Sequence, residues 1–325
     1  MSTKDKPKQF LKIIDDSSLL QQTIKRSLNY SSPDEIYVVT LERYREITRK
    51  QMDELEIEIP EENIIMEPFG RNTLPATILA TKNIIERNGN SKIGVFPSDH
   101  LIETDESYIR SIKDGIELSD DYLVTFGINP SGPHTGYGYI KPGEKVEKGY
   151  RIKEFVEKPS MSLARKYINE GYLWNSGKFL FDSEIFLNIC EELYPDLMNK
   201  IKNSNNLKDI YKEFPSVSID NGIMEKTEKG ATIPINSYWN DIGSYSALHD
   251  HLKKDENNNV IQTKCKYLES KNNFIKTKKP VANVGISNIV LVETDDLIFI
   301  CSKDKTKELK KFVKNNNILD DLNDK

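Results

Sequence analysis

Short apolar runs that read as strands alternate with amphipathic stretches that read as helices over the first 130 or so residues, and this alternation restricts the fold more than any other feature. After Pro7-Lys8-Gln9-Phe10-Leu11-Lys12-Ile13 a helix carries Leu19, Leu20, Ile24 and Leu28. The strand Ile36-Tyr37-Val38-Val39-Thr40 leads into a charged helix from about Glu42. The short buried strand Ile64-Ile65-Met66 precedes a helix over Thr73 to Ile85, which Asn72 can cap and which has Pro75 in its first turn. Ile93 to Phe96, a helix from Tyr108 to Leu118 and the strand Tyr122 to Phe126 continue the series. The pattern predicts an α/β fold, a Rossmann-like mixed sheet flanked by helices.

The pattern then changes. A β-rich stretch over 136–157 reads as an insertion in the core, and a helix Asn221 to Thr227, a strand Ala231 to Ile235 and a helix Tyr245 to Leu252 complete a domain spanning 1–252. The polar run K-K-D-E-N-N-N at 253–259 reads as a linker. Over 260–325 the strands Val260-Ile261, Tyr267-Leu268, Phe274-Ile275, Val281 to Val284, Ile289 to Val292 and Leu297 to Ile300 are short and closely spaced, which predicts a small β domain of stacked coils. An amphipathic helix, Lys305 to Val313, and a frayed tail from Asn315 follow.

Composition narrows the function classes. A charged fraction of 30% with a net charge of −5 argues for a soluble protein and against a generic nucleic-acid binder. Cys190, Cys265 and Cys301 are too widely spaced for a metal motif or a disulfide framework, which suits a reducing compartment. No apolar run approaches the roughly 20 residues of a membrane span. The first residues, M-S-T-K-D-K-P-K, carry no apolar signal core, so a cytoplasmic location is expected.

Several strings carry chemistry. In R-I-K-E-F-V-E-K-P-S, Ile152 to Val156 alternate as a strand, with Glu157 and Lys158 at its end and Pro159 stopping further pairing. A carboxylate and an ammonium at a strand end suit a sugar-phosphate pocket as well as a surface ion pair. After a short helix over Leu163 to Asn169, Trp174-Asn175-Ser176-Gly177 reads as a turn before the strand Phe179-Leu180-Phe181. Asp99, in P-S-D-H, follows a strand, and Asp241, in W-N-D-I-G-S, precedes a helix; the pair can hold Mg²⁺, and either alone can be a turn former or a cap. His100 has no visible partner and reads as structural. Gly136 and Gly138, in G-Y-G-Y-I, would let a ligand approach the backbone or simply form a bulge. Arg71 and Asn72, in E-P-F-G-R-N-T-L-P-A, lie in a rigid loop that can offer hydrogen bonds to a purine base, while Asn72 alone fits a helix cap.

Taken in order, P-K-Q-F-L-K, E-P-F-G-R-N-T-L-P-A, F-P-S-D-H, T-F-G-I-N-P, H-T-G-Y-G-Y-I, F-V-E-K-P, W-N-S-G-K-F-L-F, S-I-D-N-G-I-M-E-K and W-N-D-I-G-S-Y resemble the mannose-1-phosphate guanylyltransferase family of sugar nucleotidyltransferases over about residues 2–252, and more loosely beyond. The resemblance implies GTP and mannose 1-phosphate as substrates, GDP-mannose and pyrophosphate as products, Mg²⁺ as cofactor, and no nucleic-acid or membrane partner; a homo-oligomer is compatible with it. By position it implies Asp99 and Asp241 on Mg²⁺ and Lys8 on a nucleotide phosphate. It further implies Lys158 on the sugar phosphate, Glu157, Asn175 and Gly136 around the sugar, and Arg71 and Asn72 near the base. A transferase for another hexose 1-phosphate and a non-catalytic relative that senses GDP-mannose are the alternatives.

Members of that family open with a strand and a Gly-rich loop, G-G-x-G-T-R-L-x-P, just before P-K-Q-F. This sequence begins at Met1-Ser2-Thr3, within a few residues of where that loop would end. The expectation is that the natural protein is longer, and that the chain as written lacks the first strand of the sheet and the triphosphate cradle. A damaged or non-catalytic relative is the other reading of the same departure.

Overall fold

The computed structural model describes residues 7–14, 16–204, 207–243, 245–294, 297–306, 308 and 312. The tail from Asn315 and most of the helix expected at 305–313 lie outside the described residues. The chain divides into two compact units, Lys4–Trp239 and, together with Met1–Thr3, Asn240–Lys325.

In the first unit, α1 (Leu19–Ser27), β1 (Val38–Leu41), α2 (Arg45–Asp53), β2 (Ile64–Glu67) and α3 (Thr73–Asn88) lead to β3 (Lys92–Val95). Then come β4 (Leu101–Ile102), α4 (Glu106–Leu118), β5 (Leu123–Ile128), β6 (Tyr139–Lys145), β7 (Tyr150–Val156), α5 (Met161–Asn169) and β8 (Leu173–Asp182). After α6 (Ser183–Leu193), α7 (Pro195–Asn203) and α8 (Leu207–Ile210), β9 (Gly230–Ile235) and β10 (Trp239–Asn240) reach the second unit. Six strands form one mixed sheet in the order β3-β8-β5-β9-β7-β6, with β5 and β9 parallel and β8 antiparallel to β3 and β5. β1 and β2 pair in parallel as a separate two-stranded sheet.

Alternation along β8 divides the core. Phe179 and Phe181 point to one face, with Leu74, Ile78 and Phe186, while Leu180 points to the other, with Tyr108, Ile112 and Phe126. Both faces are therefore covered by helices, as the alternation of patterns predicts.

Two local expectations differ from the structure. Trp174 to Gly177 do not form a turn: β8 begins at Leu173, and Trp174 and Asn175 pair with Ile128 and Gly127 of β5, beyond a bulge in β8. The irregularity absorbs Gly177 at φ +70, so glycine bends the strand without ending it. The helix expected from Asn221 is a single wide turn, Asp220–Met224, in which a Cβ on Gly222 would lie 2.7 Å from Leu74.

The segment carrying Lys8 is anchored by buried polar groups. Ser18 and Gln21 form a capping box on α1, a device that typically contributes about 1 kcal/mol. Ser18 Oγ also donates to Gln51 Oε1 (2.7 Å), Gln21 Nε2 to the Gln51 carbonyl (2.8 Å), and Gln51 Nε2 to the Phe10 carbonyl (2.9 Å). The short helical turn Lys8–Phe10 is thereby tied to α1 and α2.

The second unit starts with α9 (Tyr245–His251) and continues as a coil of short strands, β11 (Val260–Gln262), β12 (Cys265–Leu268), β13 (Phe274–Lys276), β14 (Val281–Val284), β15 (Ile289–Glu293) and β16 (Ile298–Ser302). β11, β13 and β15 stack in parallel, one per turn of the coil, and β12 stacks on β14. A ladder of asparagines holds the corners. Asn259 Oδ1 accepts from Asn273 N (3.0 Å), Asn273 Oδ1 accepts from Ile289 N (3.1 Å), and Asn273 Nδ2 donates to the Ile286 carbonyl (2.9 Å). The helix α9 packs here, with the Tyr245 ring against Phe274 and Phe299.

Candidate active site

β7 ends at Val156 and delivers Glu157 and Lys158 to the sheet edge, the position where open α/β sheets present ligands. Lys158 holds φ +48, an uncommon conformation for a residue with a side chain, and its amide donates to the Tyr137 carbonyl (3.2 Å). Its Nζ pairs with Glu157 Oε1, yet the Lys158 side chain is 62% exposed while that of Glu157 is 10% exposed. The ammonium is therefore presented to solvent from a buried carboxylate.

Around this pair the chain gathers further carboxylates. The Glu157 amide donates to Glu225 Oε1 (2.9 Å). Burial raises the Glu157 carboxyl above its ordinary range, the Asp220 charge raises it further, and Lys158 opposes both. Burial also raises Asp220. Asn175, carried by β8, donates from Nδ2 to Asp220 Oδ1 (2.6 Å) and accepts at Oδ1 from Thr125 Oγ1 (2.8 Å) and Gly177 N (3.2 Å). Its side-chain orientation is set on both sides.

The two glycines of G-Y-G-Y-I take different places. A Cβ on Gly138 would lie 2.6 Å from Glu157 Oε2 and 3.2 Å from Asn175 Cβ, and the Gly138 carbonyl accepts from Asn175 N (2.8 Å). Gly136 instead belongs to a loop folded on His134, whose ring nitrogen accepts from the Gly136 amide (3.2 Å) and whose ring stacks on Tyr137 at 3.9 Å. Thr125, Asp220 and Glu225 are members of this cluster to which the sequence reading gave no role. All three lie within the strings quoted above, but nothing in their spacing sets them apart from their neighbours.

The start of α3 reaches the same region through the Thr73 hydroxyl. Asn72 caps α3, its Oδ1 accepting from Thr73 N (2.9 Å), and Thr73 Oγ1 accepts from Ile219 N (3.0 Å), one residue before Asp220. Arg71 donates from a terminal guanidinium nitrogen to the Lys212 carbonyl (2.8 Å) and lies over the Phe69 ring at 5.5 Å.

A second cluster forms at the end of β3. Lys8 Nζ donates to Asp99 Oδ2 at 3.1 Å, with the two side chains 23% and 40% exposed. His100 is not isolated: its Nδ1 accepts from Trp239 Nε1 (3.3 Å), and its Nε2 lies 3.7 Å from Asp99 Oδ1. This partnership could not be inferred from sequence because Trp239 is 139 residues away. Asp241, in the second unit, accepts from Gly243 N at 3.1 Å in a local turn. Among the described residues no group of three or more potential metal ligands gathers, and no helix is long and apolar enough to cross a membrane.

A mixed sheet with an ammonium, carboxylates and an oriented amide at its strand ends defines a class of α/β protein suited to phosphorylated polar ligands. Comparison with known proteins places it. Residues 2–258 match the Nucleotidyl transferase family model, and residues 265–315 match that of the MannoseP isomerase/GMP-like beta-helix domain. A mannose-1-phosphate guanylyltransferase of Salmonella muenchen is 35% identical over 332 residues, covering 96% of this chain and 69% of the relative. One of Escherichia coli is 35% identical over 336 residues, covering 96% and 71%. The crystal structure described as mannose-1-phosphate geranyltransferase from Thermus thermophilus superposes with a TM-score of 0.87 at 27% identity, covering 97% of this chain and 93% of that one. The chain belongs to the nucleotidyl transferase family, in its mannose-1-phosphate guanylyltransferase branch.

Proposed function

We propose that this chain joins GTP to mannose 1-phosphate, giving GDP-mannose and pyrophosphate. The observation that carries the reading is the Glu157–Lys158 pair, set at the end of β7 against Gly138, Asn175 and Asp220, in a chain of this family. A phosphate oxygen of the sugar phosphate attacks the α-phosphorus of the nucleotide in line. The new P–O bond forms as the bond to the β-phosphate bridging oxygen breaks, and pyrophosphate leaves. No covalent enzyme intermediate is needed, so the work of the protein is positioning and charge neutralisation.

Lys158 meets the sugar phosphate, because its ammonium is exposed and its backbone is held. Glu157 and Asn175 bind sugar hydroxyls. Asn175 serves this role with a geometry already determined by Thr125 and Asp220. Gly136 shapes the loop at the mouth of this region through His134. Arg71 and Asn72 lie toward the base, with Arg71 keeping further N–H groups beyond the one given to Lys212. Lys8 exchanges Asp99 for a nucleotide phosphate when substrate enters.

Asp99 and Asp241 are hard oxygen donors of the kind Mg²⁺ takes, one or two carboxylates completed by phosphate oxygens and water, and the half-exposed Asp99 carboxylate fits that donor set. When bound, Mg²⁺ would neutralise developing charge on the phosphates. The residues of this chain supply the remaining contacts.

The test is GTP-dependent release of pyrophosphate by the full chain with mannose 1-phosphate, set against Asp99→Asn and Asp241→Asn. Each variant should fold and lose turnover by about 10²-fold or more. Near-normal Mg²⁺-dependent activity in Asp241→Asn would remove it from the metal site. Absence of nucleotide-dependent pyrophosphate release by the full chain would sink the reading.

A further inference from the structure

Glu225 stands beside the Glu157–Lys158 pair and binds main chain. Its Oε1 accepts from the Glu157 amide (2.9 Å), and its Oε2 accepts from Asn221 Nδ2 (3.0 Å). One carboxylate oxygen is thus directed to the end of β7 and the other back to its own turn. The next amide, that of Lys158, donates to the Tyr137 carbonyl (3.2 Å). Pro159 has no N–H. Each N–H of E-K-P is accounted for, and the two acceptors differ in kind. Tyr137 offers a main-chain carbonyl, which any residue would supply, whereas Glu225 offers a side chain.

The turn needs such an anchor. Lys158 holds φ +48, where a residue with a side chain stays only when its surroundings over-determine it. The Glu157 carboxylate is packed so closely on Gly138 that a Cβ there would lie 2.6 Å from Oε2, which restricts Glu157 on the other side. A turn without the Glu225 contact would keep one of its two amide bonds, and Lys158 would be free to relax toward ordinary φ and re-aim its ammonium.

Glu225 is itself placed by the wide turn Asp220–Met224. The turn closes on the Glu225 amide, which donates to the Asp220 carbonyl (3.0 Å); an ordinary helical turn would close one residue earlier, on Met224. The turn is seated on the core by the buried Ile219, Ile223 and Met224, and by the Tyr194 hydroxyl, which donates to the Gly222 carbonyl (3.1 Å). From this base one end brings Asp220 to Asn175 on β8 (2.6 Å), and the other brings Glu225 to the Glu157 amide beyond β7 (2.9 Å). One element rooted in the core braces both strands that carry the sugar-side residues.

We propose that Glu225 is a positioning residue of the sugar-phosphate pocket, which through the Glu157 amide holds the E-K-P turn in the conformation that presents Lys158 to the phosphate. The phosphate as ligand rests on the reaction proposed above; the anchoring of the turn does not. Glu225 acts as a hydrogen-bond acceptor rather than as a charge, so a glutamine can take its place.

The test combines hydrogen exchange at the Glu157 and Lys158 amides with calorimetric titration of mannose 1-phosphate and of GTP, for the natural chain, Glu225→Ala and Glu225→Gln. Glu225→Ala should speed exchange at Glu157 and weaken mannose 1-phosphate by about 3- to 10-fold, the worth of one exposed hydrogen bond. GTP affinity and melting temperature should not change, because Glu225 is on the surface. Glu225→Gln, whose amide oxygen accepts from the same N–H, should restore both slow exchange and mannose 1-phosphate affinity. Unchanged exchange in Glu225→Ala, or faster exchange with unchanged mannose 1-phosphate affinity, would overturn the proposal. So would a loss shared equally by Glu225→Gln, which would make the charge the active feature. An equal loss of GTP affinity, or a marked fall in melting temperature, would make Glu225 merely structural and overturn it as well. A natural chain that shows the exchange effect yet neither binds mannose 1-phosphate nor releases pyrophosphate from GTP would refute the proposed reaction and leave the anchor of the turn standing.

Discussion

Asn175 in the first unit and Asn273 in the second are both buried, at 6% and 0% exposure, and the side chain of each both donates and accepts a hydrogen bond. Their partners differ in kind. Asn273 bonds to Asn259, Ile289 and Ile286 through three backbone-directed contacts that repeat the rise of the coil. Asn175 bonds through its side chain to Thr125 and Asp220, and Asp220 in turn raises the carboxyl of Glu157. A buried amide bonded to main chain stacks turns of a coil. A buried amide tied to an ionisable cluster sets the geometry of a site. Burial alone separates neither from the other.

The largest effect that would sharpen this contrast is expected in the coil. Asn273→Ala removes one acceptor and one donor inside the ladder and leaves main-chain groups unpaired, and should lower stability by about 3 kcal/mol in denaturant unfolding. A loss under about 0.5 kcal/mol would show that water or a neighbouring asparagine replaces it.

Asn175→Ala should cost somewhat less, about 2 kcal/mol, because Thr125 also donates elsewhere, to the Lys178 carbonyl (2.8 Å). Its signature is in binding, where mannose 1-phosphate should be weakened more than GTP. Equal weakening of both ligands would make Asn175 structural, like Asn273, and would erase the contrast.

Lys158→Ala should reduce mannose 1-phosphate affinity by about 1.5 kcal/mol, the low end for a charged hydrogen bond, since the ammonium is more than half exposed. GTP affinity should hold. A GTP loss of the same size would move Lys158 out of the sugar-phosphate role.

The smallest effect is a pH dependence. Asp220 and Glu157 have carboxyl pKa values raised by burial, so the folded state holds these protons more tightly than the unfolded state. Their contribution to stability is present below the unfolded carboxyl pKa of about 4 and is lost as pH rises through the folded value. Asp220→Asn keeps an oxygen for Asn175 and removes this penalty. Its melting temperature should exceed that of the natural chain at about pH 7.5, with the gain shrinking toward about pH 4. A gain that grows on acidification would mean the carboxylate is stabilising here, contrary to its buried setting.

Much of this was legible in the residues. Apolar periodicity is a local property, and it placed α1, α3, α4, β5 and β9 because each buries a stripe or a face that the chain displays within a few residues. The Glu157–Lys158 pair was legible because Pro159 ends the strand and leaves two charged side chains at its edge. The extension of β8 back to Leu173 was not, because Trp174 and Asn175 read as turn residues until β5 is there to pair with them across a bulge.

The remainder depended on contacts between residues far apart in the chain. The alternating α/β architecture, the short stacked strands that follow it and the motifs of the nucleotidyl transferase family are each written in neighbouring residues, so the linear chain specifies them. Other features exist only once the chain has folded: Gly138 lies against Glu157, Asp220 orients Asn175 from 45 residues away, Trp239 holds His100, and Lys178 and Arg26 are both buried. Those pairings follow from which strands become neighbours in the sheet. Strand neighbours are chosen by the packing of both faces at once, a sum over the whole unit that no local window contains.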